Sequence, residues 1–166
     1  MKKLISLLIV LALSLGCIAA MAEAEAPANA AFEGTWVQFE DGFEVYLPSD
    51  WLVLDVTQEM TDAGIFYAVS SPDGARSMQV AWAESVDAAT AEDVKAQLET
   101  TYAGVEILNF NGVDFVSYDD LANDCAGIAA LDTNGGMFLF NFYPASDEEL
   151  APMAATIATS IRNTAE

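Results

Sequence analysis

Histidine is absent from all 166 residues. That removes Ser-His-Asp and Cys-His catalytic arrangements, histidine-ligated zinc or haem, and any imidazole general base. Positive charge is almost as scarce, with five Lys and Arg against 26 Asp and Glu and a formal net charge of −21. Nucleic acids and anionic lipid surfaces are poor partners for such a chain, because both need Lys and Arg to displace counterions from phosphates. The same excess of acid keeps a protein dispersed. No Gly-x-x-x-x-Gly-Lys loop occurs, and apart from the Gly135-Gly136 pair the glycines stand singly, so a phosphate cradle is not expected either. There is no Gly/Ser/Pro-rich linker and no internal repeat.

Cysteine is limited to Cys17 and Cys125. Cys125 follows Asp124 and precedes the apolar run Ala126 to Leu131, with no cation nearby in sequence. Neighbouring carboxylates raise a thiol's pKa, so a small buried packing residue is expected rather than a nucleophile.

What is present begins with an address. Lys2 and Lys3 precede a mainly apolar run, Leu4 to Leu15, interrupted only by Ser6 and Ser14, and then the small-residue stretch from Gly16 to Ala22. A positive n-region, an apolar h-region and an Ala20-Met21-Ala22 site are read by a signal peptidase, so residues 1–22 are expected to be a signal peptide. The apolar core is shorter than the roughly 20 residues that a spanning helix needs. Cys17 offers the alternative of a lipidated N-terminus, although Ser14 stands where such leaders usually carry Leu. Cleavage after Ala22 leaves three cations against 26 acids, a charge of −23, and a soluble extracytoplasmic chain without a transmembrane anchor. With only Cys125 left, no disulfide forms within it. Residues 23–31 read as a flexible tether, and residues 32–166 as one domain large enough for a real core.

Within the domain, Trp36 to Phe39 and Phe43 to Leu47 are strand-like runs joined through Glu40-Asp41-Gly42, a strong hairpin signal that places Phe43, Val45 and Leu47 on one buried face. Further strands are predicted at Ile65 to Ser70, Ser77 to Ala83, Val105 to Phe110, Val113 to Tyr118, Ala126 to Leu131 and Met137 to Tyr143. Pro72-Asp73-Gly74, Asn111-Gly112 and Asn134-Gly135-Gly136 supply turns between them. Thr90 to Tyr102 has helical periodicity, a Thr-x-x-Asp opening, and Ala91, Val94, Leu98 and Tyr102 on one face. Ser146 to Arg162 is a second one-sided helix, with Ser146-Asp147-Glu148-Glu149 as its expected capping box. In Met137 to Tyr143, Phe138, Phe140 and Phe142 fill one face while Met137 and Leu139 fill the other. A strand apolar on both faces belongs at the centre of a covered sheet. The expectation is an α+β domain, a mainly antiparallel sheet flanked by helices in an α/β/α sandwich.

The run from Phe43 through Pro48 to Trp51, a strand entering a Pro-x-x-Trp turn, is similar to the opening of Mog1/PsbP-like domains. The Asn111-Gly112 hairpin followed by Val113-Asp114-Phe115, and the amphipathic ending Ile157 to Ile161, fit the same family. The resemblance covers most of residues 32–163 and implies the fold just described. It transfers no catalytic residue, since known members mostly act as binding or assembly subunits and many exported bacterial members have no assigned role.

The remaining chemistry lies in carboxylates and aromatics. Asp119, Asp120 and Asp124, with Asn123, form an oxygen-rich stretch able to offer ligands to calcium, although its spacing departs from the Asp-x-Asp-x-Asp-Gly loop and a turn between strands explains it. Asp132 to Gly136 is explained in the same way by hairpin chemistry. A carboxylate-dependent hydrolase needs two acids about 5 to 10 Å apart in a cleft, a condition that spacing alone does not single out among 26 acids. Trp36 and Trp51 sit near strand ends and are candidates for ligand contact, whereas Trp82 alternates with Met78 and Val80 and is expected in the core. The function these residues support is an exported, non-enzymatic binding or assembly domain, with no cofactor and with an extracytoplasmic protein or small ligand as partner. Calcium binding and carboxylate-dependent hydrolysis are the alternatives.

Overall fold

The computed structural model of the chain describes residues 25–39, 42–83, 87–110, 112–132 and 135–164. The leader with Cys17, and Glu40, Asp41, Asn111, Thr133 and Asn134 of the expected turns, lie outside the described residues.

The chain is α+β and its sheets are antiparallel. The described residues form ten strands, in the order β1 (Gly34–Gln38), β2 (Phe43–Pro48), β3 (Leu52–Val53), β4 (Ile65–Ser70), β5 (Ser77–Ala83), β6 (Ala103–Phe110), β7 (Val113–Asp120), β8 (Cys125–Leu131), β9 (Met137–Tyr143) and β10 (Arg162–Asn163). Among the described residues three helices, α1 (Gln58–Asp62), α2 (Ala91–Leu98) and α3 (Leu150–Ser160), are interspersed between these strands. The large sheet has seven strands in the order β3-β4-β5-β9-β8-β7-β6. β9 stands at its middle, as its two apolar faces require: Phe140 and Phe142 pack into the main core and Met137 into a second cluster.

The β1–β2 hairpin does not join that sheet. With β10 it forms a separate three-stranded sheet, order β1-β2-β10, that lies with α3 on one face of the large sheet. β2 explains the separation, for Tyr46 is buried as well as Phe43, Val45 and Leu47. The three odd-numbered residues face the main core with Val80, Phe115, Phe140 and Ile157, while Tyr46 is stacked on Phe32 with ring centroids 5.6 Å apart. The opposite face of the large sheet carries α2, whose Val94 and Leu98 pack with Val116, Tyr118 and Ala129. One cover layer is therefore mixed strand and helix, and only the other is helical.

The two helix starts differ in a way their sequences do not show. At α2 the capping box forms: Thr90 Oγ1 accepts from Asp93 N at 3.2 Å and Asp93 Oδ2 accepts from Thr90 N at 3.0 Å. At α3 it does not. Glu149 is the N-cap and makes no side-chain capping bond, because Ser146 donates its hydroxyl to Asp124 at 2.6 Å and Asp147 and Glu149 accept from Arg76 at 2.6 and 2.5 Å. Arg76 gives these two carboxylates a charged partner, and Asp147 Oδ1 accepts from Glu149 N at 2.9 Å as well. The segment expected to be a tether is also held where it is described, Ala31 N donating to Thr156 Oγ1 at 3.1 Å and Trp36 Nε1 to Glu25 O at 3.3 Å.

Candidate functional site

At one end of the space between the two sheets, the main core opens into a pocket of about 260 Å³. Five strands line it. β2 contributes Phe43, β9 contributes Phe138 and Phe140 from alternate positions on one face, β7 contributes Val113 and Phe115, and β8 contributes Ala130 and Leu131. The chain leaving α3 closes it with Ile161, Arg162 and Asn163. Period-two alternation places Phe138 and Phe140 side by side over the gap, and the hairpin brings Phe43 edge-on to both, at centroid distances of 4.9 and 5.9 Å.

The aromatic lining continues outward. Phe66 lies 6.2 Å from Phe138 and 6.0 Å from Phe39, both in edge-to-face geometry, and Trp82 is paired across the ladder with Phe138. Phe66 and Trp82 are each 37% exposed, and Val113 at the pocket wall is 43% exposed. The expected burial of Trp82 is thus wrong. Met78 and Val80, on the same face of β5, are fully buried, but that strand runs on beyond the residues that cover them. The indole instead leans on Gly136, where a Cβ would stand 2.6 Å from Cε2.

Polar groups stand at one side of the pocket. Arg162 donates from Nε to Glu44 Oε1, and its guanidinium carbon lies 3.7 Å from the centroid of the Trp36 ring. The cation is balanced by the carboxylate and faced by the indole, so it fixes β10 to β2 and leaves the pocket mainly apolar.

The residues singled out from sequence fall elsewhere. Trp36 is half-buried beneath Arg162 and edge-on to Tyr46 at 5.4 Å, and Trp51 is half-buried against the main core. Asp119, Asp120 and Asp124 do not converge on one point. Asp119 lies against Gly104 of the neighbouring strand, and Asp120 closes a turn by accepting from Ala122 N at 3.1 Å and Asn123 Nδ2 at 2.7 Å. Asp124, with φ at +52°, holds the N–H and hydroxyl of Ser146 at 2.8 and 2.6 Å. Among the described residues no group of three His, Cys, Asp or Glu is placed to hold a metal ion.

The titratable groups divide by burial. Asp147 is held below the usual carboxylate range by hydrogen bonding to Arg76, Asp73 by the Ser71 hydroxyl and Asp93 by that of Thr90. On the α2 side of the large sheet, burial raises the Cys125 thiol and the Tyr118 and Tyr143 hydroxyls. Tyr118 donates to Asn141 Oδ1 at 2.6 Å, and Cys125 lies 3.7 Å from the same oxygen. A buried thiol without a nearby cation is a packing group, as its sequence neighbours suggest. The pocket could not be found from sequence, although its signal was the Phe138-x-Phe140 alternation. That pattern says only that the residues share a buried face, not that the face opens to solvent.

Neither a protein-family model nor a curated protein sequence matches this chain. A crystal structure of a protein from Bacteroides thetaiotaomicron VPI-5482, determined at 1.50 Å, is similar at 14% identity and a TM-score of 0.49, with 75% of this chain aligned to 46% of that one. The chain therefore spans less than half the length of that protein.

Proposed function

We propose that this chain is an exported, non-enzymatic binding domain of Mog1/PsbP-like character. It takes an apolar or aromatic group of a ligand or partner into the pocket between its two sheets. The observation that carries the reading is the junction of a 260 Å³ apolar pocket with the exposed rings of Phe66 and Trp82, both reached through Phe138. Ligand sites are concave, mostly apolar and furnished with few polar groups, and this one has aromatic walls with a neutralised ion pair at the side. Asp73, Asp93 and Asp147, the carboxylates held below their usual range, serve a turn, a helix cap and an ion pair and do not line this pocket.

Titration of the chain with the neutral fluorophore N-phenyl-1-naphthylamine tests the pocket. Saturable enhancement is expected, and Val113→Asp should weaken it about tenfold, or about 1.4 kcal/mol, while the exposed Leu121→Lys leaves it unchanged. Equal binding by all three proteins would refute the site. Export is tested separately by the intact mass of the chain from its producing cells. Residues 23–166 are expected, and a diacylglyceryl adduct on a chain starting at Cys17 would replace the soluble reading with a lipoprotein.

A further inference from the structure

A second surface, independent of the pocket, lies at the edge of the large sheet. β3 is the end strand, and among the described residues nothing pairs with its outer side. Leu54 N donates to Ala68 O at 2.9 Å, and the register pairs Leu52 with Ser70 and Val53 with Val69. In an antiparallel ladder bonded and non-bonded pairs alternate, so Leu52 and Leu54 spend their backbone groups on β4 while Val53 turns its N–H and C=O outward.

The side chains at this edge are unusual for one left bare. Leu52, Val53 and Leu54 are 54%, 69% and 40% exposed, a contiguous apolar run where edges are ordinarily blunted by charge or cover. The charge around the run has one sign. From Ser49 to Ala63 there are four carboxylates, Asp50, Asp55, Glu59 and Asp62, all exposed, and no Lys or Arg occurs anywhere from Leu4 to Ala75. A second copy would bring the same carboxylates against these, on chains already at −21. Like charges juxtaposed at an edge repel self-pairing and leave opposite charge as the matching partner.

We propose that β3 is a docking edge for an extended segment of another protein, apolar at its centre and flanked by Lys or Arg, which adds as an eighth strand. Val53 supplies the outward backbone bonds, Leu52 and Leu54 meet the partner's side chains on one face, and Asp50 and Asp55 take its cations at either end. The main-chain bonds give affinity and the acids give selectivity.

The test uses the whole chain and a fluorescein-labelled peptide, Lys-Lys-Thr-Val-Thr-Val-Lys-Lys, read by anisotropy and by amide hydrogen exchange. Saturable binding that falls with salt, with slowed exchange at Val53, is the expected result. Methylating alternate backbone nitrogens of the peptide should weaken binding at least tenfold, Glu in place of its Lys should abolish it, and Asp50→Asn with Asp55→Asn should flatten the salt dependence. Val53→Pro removes the outward N–H at an exposed position, and Val53→Thr keeps it. Loss in the first and retention in the second fit strand addition. Equal binding of the methylated peptide, protection away from β3, no binding at millimolar peptide, or dimerisation of the chain alone by sedimentation would each overturn the proposal.

Discussion

The ring of Tyr118 occupies the space that a side chain at Gly127 would need: the two residues face each other across the β7–β8 ladder, and a Cβ on Gly127 would stand 2.6 Å from both Cε2 and Oη of the tyrosine. The tyrosine is 5% exposed, lies tilted against the Tyr102 ring with centroids 4.8 Å apart, and is tied to Asn141 by its hydroxyl.

Gly127→Ala is therefore expected to destabilise the fold. The ring cannot retreat without leaving its hydrogen bond and its neighbour, and overpacking of this kind costs about 1–3 kcal/mol. Chemical denaturation would show a lower midpoint with an unchanged slope. Tyr118→Leu in the same background relieves the clash, so the double variant should lose less than the two single losses together.

Acid should loosen the start of α3. The Arg76 guanidinium holds Asp147 below its ordinary range, so the folded state prefers the ionised carboxylate. The stabilisation is fully present above the unfolded value, near pH 4. It disappears as the pH falls through the lower folded value. Thermal scans between pH 7 and pH 2 should show Asp147→Asn melting below the parent at pH 7, with the gap closing toward pH 2. A gap that stays constant over this range would mean that Asp147 acts through packing and not through its charge.

Cys125 should be inert in the folded chain. Burial raises its thiol, and the nearby carboxylates of Asp120 and Asp119 act in the same direction. Iodoacetamide at pH 8, followed by peptide mass mapping, should modify Cys125 only after urea is added. Rapid labelling of the native chain would contradict its burial.

Much of the strand architecture was legible in the residues. β4, β5 and β9 span the predicted ranges, and β9 is central because Phe138, Phe140 and Phe142 alternate with Met137 and Leu139. Local signals sufficed, since alternation and turn residues act over a few positions. β3, α1 and β10 escaped notice, as segments of two to five residues are too short to show a period. The site was legible only in part. Its phenylalanines were predicted to be buried, but the opening beside them and the exposed Trp82 follow from how far the smaller sheet reaches across the larger one.

Ser146 to Glu149 mark the division between sequence and tertiary structure most clearly. The sequence by itself determined an acidic, histidine-free α+β chain with an antiparallel sheet and a capped α2, because Thr90 and Asp93 meet within one turn of helix. Only the tertiary structure decided that the similar-looking acids before α3 would bind Arg76, 71 residues away from Asp147, and that Ser146 would turn to Asp124. A guanidinium brought alongside by β5 takes Asp147 Oδ2 and Glu149 Oε2, while Asp147 Oδ1 keeps a local bond from Glu149 N. No local reading can anticipate a charged partner that only folding brings within reach.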